Sequence, residues 1–121
     1  MSDGRYDGSP SVRVQDVLTA RELGDPAVGR LLVEASLNDP DWEGVQNLCL
    51  DLLTGPDRPL AALAATGLGH LGRIHRTLHL ERVVPALLSA LRDPGTAGTA
   101  DGALDDLEVF LGVIRPILTP P

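Results

Sequence analysis

The sequence predicts an all-α fold of about six helices stacked as hairpins. Three observations carry that prediction. Apolar residues recur at i, i+3, i+4 and i+7 in successive segments. Asp-Pro, Gly-Pro and isolated Gly steps punctuate those segments as helix starts and stops. No segment sustains the period-two alternation of β-branched residues that a strand requires.

Taken in order, residues 1–10 (MSDGRYDGSP) show no apolar period and are expected to be a mobile tail. A single helical domain is expected over 11–118. A first, weakly patterned helix spans about Ser11–Leu23, with Val14, Val17, Leu18 and Ala20 as a partial stripe and Gly24 as its stop. Asp25-Pro26 caps a second helix to about Leu37, with Val28, Leu31, Leu32 and Ala35 facing inward. Asp39-Pro40 repeats the device for a third, to about Thr54, burying Trp42, Val45, Leu48, Cys49, Leu52 and Leu53. Gly55-Pro56 breaks it, and Asp57 caps a fourth helix over about Arg58–Arg76, whose stripe is Leu60, Leu63, Ala64, Gly67, Leu68, Leu71 and Ile74. A fifth covers about Glu81–Arg92 with Pro85 near its first turn. A sixth runs from about Ala97 to Arg115, burying Ala100, Ala103, Leu104, Leu107, Phe110, Leu111 and Ile114. Thr119-Pro120-Pro121 cannot extend it.

Composition bounds the function. The 121 residues contain ten Arg, no Lys and seventeen acids, a formal charge of −7. An acidic chain repels phosphate backbones, and Tyr6, Trp42 and Phe110 are too few to form a stacking platform, so nucleic acid is disfavoured. The run Pro59–Gly72, free of Asp, Glu, Arg and Lys, is too short and too rich in Ala and Gly to span a bilayer. One cysteine and no resemblance to a signal peptide point to a cytoplasmic protein.

An offset of 36 residues superimposes the fourth helix on the sixth: Asp57 falls on Asp93, Ala64 on Ala100, Gly67 on Ala103, Leu68 on Leu104 and Leu71 on Leu107. Such self-similarity marks stacked helical hairpins. The run from Asp57 to Leu71, with its Ala61-Ala62 and Leu68-Gly69-His70-Leu71, resembles the first helix of a HEAT repeat. Val83 to Asp93 resembles the second helix and following turn, and Ala100 to Leu107 the opening of the next repeat. Thr96-Ala97 and Asp105 depart from the family pattern, where a Val-Arg pair and a Gly are usual. The resemblance implies a short right-handed α-α superhelix, armadillo-like, that binds proteins. Small acidic members resemble bacterial immunity proteins of toxin systems, a setting that the Lys-free, Arg-only composition suits.

Several constellations compete with plain structural readings. Gly67-Leu68-Gly69-His70-Leu71-Gly72 is a literal G-x-G-x-x-G, but it lacks the preceding strand that dinucleotide binding requires and reads as small residues for close helix packing. His70, His75 and His79 cluster among Arg73, Arg76 and Arg82, which repel a cation, so they read as solvated loop histidines, and no metal or other cofactor is expected. Cys49 sits in the inward stripe beside Asp51 and reads as a core residue. No catalytic triad order or phosphate loop is present, so the chain is expected not to be an enzyme.

The acids carry the functional reading. Five acids and no base lie between Asp93 and Glu108, and Asp101, Asp105 and Glu108 share one helical face at i, i+4 and i+7. Like charges at that spacing cost roughly a few tenths of a kcal/mol per pair. A surface that attracts a basic partner is the functional alternative to an ordinary solvated face. Asp106 extends this group, and Asp39, Asp41, Glu43 and Asp51 form a second one around Trp42. The expected partner is a protein, concretely a basic toxin or nuclease domain, rather than a membrane or small-molecule ligand. A scaffold subunit binding through an apolar patch and, behind it, a lyase-like enzyme with a pocket around His70, His75 or Cys49 are the alternatives.

Overall fold

The computed structural model describes residues 11–115. Both the expected tail over 1–10 and the terminal Thr119-Pro120-Pro121 lie outside the described residues. Among the described residues six helices follow one another: α1 (Val14–Leu23), α2 (Val28–Asn38), α3 (Trp42–Leu53), α4 (Arg58–His75), α5 (Leu80–Ala90) and α6 (Ala97–Leu111). Among the described residues there is no strand, and no helix is long and apolar enough to cross a membrane.

Local chemistry sets the boundaries. Asp57 caps α4 by accepting from the Leu60 amide at 3.1 Å, and Pro59 occupies the first turn, where a missing N–H costs nothing. Gly24 and Gly112, both with φ of 67°, end α1 and α6 in the left-handed conformation. Arg76 does the same for α4 at φ 56°, a conformation that a non-glycine residue seldom takes. Two starts differ from expectation. Asp41, not Asp39, caps α3, accepting from Gly44 at 3.0 Å. Asp25 bonds the Ala27 amide at 2.9 Å in the turn before α2, which begins at Val28. Pro85 lies inside α5, past the first turn, and its ring faces solvent.

The central element is α4, which packs against α2, α3 and α6; α1 lies on α2 and α3, and α5 on α3 and α6. Small residues make this multiple packing possible. A Cβ on Gly67 would stand 3.1 Å from Cys49 Sγ, and one on Gly69 3.0 Å from the Ala103 Cα of α6. One on Gly72 would overlap the Cδ2 of Leu107. The G-x-G-x-x-G run is therefore a helix-packing seam with no strand before it. Leu68, Leu71, Leu104 and Leu107 are fully buried, and each contributes roughly 1.5–3 kcal/mol. That exceeds by far the repulsion along the acidic face of α6.

The inward stripe of α6 ends sooner than its sequence period suggests. Gly112 turns the chain back after Leu111, leaving Ile114 89% exposed rather than in the core, and Phe110 is only half-buried, with Arg76 5.0 Å from its ring centroid. Ile74, expected in the α4 stripe, and Leu18, expected in that of α1, are exposed as well.

Candidate functional site

The residues expected to meet a partner separate into several environments. On α6, burial of Ala100, Ala103, Leu104 and Leu107 against α4 turns Asp101, Asp105 and Glu108 outward. The fold-back at Gly112 then brings Arg115 across them. Its Nη1 donates to Asp101 Oδ1 at 2.7 Å, and its Nη2 to Asp105 Oδ1 at 2.5 Å and to the Asp101 carbonyl at 3.2 Å. The Nε stands 2.9 Å from Glu108 Oε2 but makes no aligned hydrogen bond. The bond to Asp101, with the charges of all three acids, raises the already high pKa of Arg115. The Arg115 side chain is 23% exposed, whereas the side chains of Asp101 and Asp105 are 58% and 63% exposed.

Asp106 points elsewhere. It faces α4, where it lines a cavity of about 180 Å³ with Thr66, His70, Thr99, Gly102 and Ala103. His70 is half-buried there, and its Nδ1 lies 2.9 Å from an Nη of Arg73. Desolvation, then the Arg73 charge, lowers its pKa below the usual 6.5, while Asp106 opposes the shift. The α6 acids thus form a trio with its own arginine and a separate carboxylate in the α4–α6 seam.

The second acidic group is also divided. Asp39 was expected at a partner-facing surface but is buried: its Oδ2 accepts from the Val14 amide at 2.7 Å, and its Oδ1 from the Asp41 amide at 2.8 Å. Arg13 stands 3.6 Å away. This carboxylate ties the start of α1 to the turn before α3. Asp41 is exposed but is occupied as the α3 cap. Glu43 is exposed, with its Oε2 3.1 Å from His79 Nε2.

His79 was expected as a solvated loop residue; it is instead held between α3 and α5. The buried Gln46 accepts from the His79 amide through Oε1 at 2.7 Å, and its Nε2 lies 3.3 Å from His79 Nδ1. With its proton on Nε2, the ring accepts from Gln46 through Nδ1 and donates to Glu43. The half-buried Trp42 meets the same ring edge-on, with centroids 5.4 Å apart. Sequence reasoning missed this junction because Gln46 and His79 are 33 residues apart.

The histidines do not share a helix face, because Arg76 ends α4 and His79 precedes α5. Among the described residues no three His, Cys, Asp or Glu side chains gather as metal ligands. Cys49 is fully buried, and desolvation pushes its thiol up to about 12. A separate groove of about 420 Å³ lies where the α1–α2 and α3–α4 turns meet, floored by Val28, Leu52 and Leu60. None of the expected partner residues lines it.

What the arrangement can do chemically is bind a guanidinium. Two carboxylates four residues apart on a helix receive the two ends of one planar fork, a geometry that a lysine ammonium does not match. Comparison with protein-family models, with curated proteins and with solved structures gives no match to this chain.

Proposed function

We propose that this small α-helical domain is a non-enzymatic protein-binding module whose acidic α6 face receives a basic partner. The observation that carries the reading is the seating of a guanidinium on Asp101 and Asp105. The most concrete form is an immunity-type inhibitor that occludes the cationic residues with which a toxin or nuclease grips phosphate. The net charge of −7 favours rapid encounter with such a partner. Asp101, Asp105 and Glu108 form the centre of the proposed surface, with exposed Asp41 and Glu43 supplying further negative field. A HEAT-like stack of hairpins draws support from the side-by-side placement of the alternate helices α2, α4 and α6.

One observation favours a second reading, a scaffold subunit that docks through apolar contacts. Val109 and Ile114, on α6 and just after it, are 75% and 89% exposed. The two readings separate by affinity capture from the native host, using the wild-type chain and an Asp101→Lys, Asp105→Lys variant side by side. The charge surface predicts that a captured basic protein is lost from the double variant. Undiminished capture of it would reject that surface, and loss on Val109→Ser alone would favour the scaffold.

A further inference from the structure

We propose that His79 is an acid-operated latch between α3 and α5: the neutral ring closes the junction, and a second proton drives the ring out from between Gln46 and Trp42. The latch is independent of the acidic α6 face. It rests on a buried amide whose two ends are both committed. Gln46 is fully buried, and its Oε1 accepts from the His79 amide at 2.7 Å. That bond fixes the orientation of the side-chain amide, so Nε2 is the group 3.3 Å from His79 Nδ1 and 3.3 Å from Asn47 Oδ1. Nδ1 can therefore only accept.

A second proton removes that acceptor. The Nδ1–H then points at the Gln46 NH2, donor against donor. Turning the amide over would offer Oε1 to the ring but aim the NH2 at the His79 N–H. With the imidazolium in place, one donor in the junction lacks an acceptor in either arrangement, a cost that the low local dielectric enlarges. The surrounding charges do not offset it. Glu43 of α3, 3.1 Å from Nε2, gains a full opposite charge, but its side chain is 55% exposed and the pair is screened. His79 is the N-cap of α5, where the helix dipole opposes added positive charge, and Arg82 adds its own through Asn47 at 3.0 Å. Glu81 in the same turn is exposed, and Asp41 is occupied with the Gly44 amide. On α6, the other neighbour of α5, Asp101 and Asp105 are held by Arg115, and Asp106 faces the α4 seam. The protonated ring swings toward solvent, where it keeps Glu43, and its edge contact with Trp42 is lost. Acid thereby uncovers the half-buried Trp42.

Trp42 is the single tryptophan of the chain, so its fluorescence reads the junction directly. Acrylamide quenching of the full chain is followed by fluorescence lifetime from about pH 7.5 to about pH 5, the range in which imidazoles titrate, with circular dichroism monitoring the helices. The expected result is a quenching constant that rises about two-fold or more on acidification, reversibly and without loss of helix. In His79→Gln, which keeps His70 and His75, the constant should not change with pH. In Gln46→Glu a carboxylate accepts from both the His79 amide and the Nδ1–H, so the imidazolium stays seated and the rise should disappear. A wild-type constant that is flat over this range would overturn the latch. So would a rise that survives in His79→Gln, or one that is undiminished in a Gln46→Glu variant whose helices are intact.

Discussion

Arg115 bonds Asp101 across fourteen positions of sequence, at 2.7 Å, and thereby links the segment after α6 to that helix's second turn. The same guanidinium reaches Asp105 one turn further on, so a row of like charges is held together by a single opposite one.

Removing that charge should cost little stability. Exposed ion pairs are worth about 0–1 kcal/mol, and the carboxylates here are largely solvated. Urea denaturation of Arg115→Gln should show a loss of about 1 kcal/mol or less, shrinking further at high salt as screening weakens the freed repulsion. A larger, salt-insensitive loss would assign Arg115 a packing role instead.

The α4–α6 seam predicts opposite outcomes for two Gly→Ala changes. In Gly69→Ala the new methyl meets the Ala103 backbone at 3.0 Å, and the helices must part. We expect a destabilisation of about 1–3 kcal/mol, which outweighs the roughly 1 kcal/mol of helix propensity gained. In Gly102→Ala nothing lies within 4 Å, so the propensity gain should appear unopposed, at about 0.5–1 kcal/mol. Thermal melts of both variants decide the matter; equal and favourable shifts would mean that the helices are not in close contact at Gly69.

Two groups give the pH dependence of stability a definite sign. The Gly95 amide, against some desolvation and together with the Arg58 guanidinium, holds the Asp93 carboxyl below its usual 3.8. Its stabilising effect is complete above 3.8 and is lost as pH falls through the lowered value. Asp93→Asn should remove that part of the acid sensitivity. His70 behaves differently: its folded pKa lies below 6.5, so as pH falls past 6.5 the unfolded chain takes up the proton first and the fold loses stability, until His70 itself titrates. His70→Gln should flatten the stability curve just below 6.5. An unchanged curve would show that the ring is solvated.

Cys49 should resist thiol reagents. With its pKa raised to about 12 and no solvent exposure, iodoacetamide at mildly alkaline pH should label it only through unfolding. Labelling rates should therefore rise with urea in step with the unfolded fraction. Rapid labelling of the native protein would contradict the packing of α3 against Gly67.

Much of the helical framework was legible because the residues that stop a helix do so locally. Asp57 caps, Gly24 terminates, and the Leu68–Leu71 stripe turns inward on the sequence period alone. The Gly run was readable too, since dinucleotide chemistry needs a strand that the preceding alanines deny. What escaped was every assignment decided by a distant neighbour. Asp39 and Asp41 look alike in sequence, yet one is buried under α1 and the other caps α3. Asp106 is adjacent to Asp105 but falls about 100° around the helix, into the seam beside His70. Ile114 continues the apolar period on paper, but Gly112 had already reversed the chain, and that reversal delivers Arg115 to the acids.

If charge on α6 drives recognition as proposed, the association rate with the captured partner depends on salt. Stopped-flow measurements should give a rate that falls steeply with rising ionic strength, and the slope should flatten in Asp101→Asn, Asp105→Asn. A rate indifferent to salt, and equal in the wild type and the double variant, would contradict the claim and leave the exposed Val109 and Ile114 as the better guide to the contact.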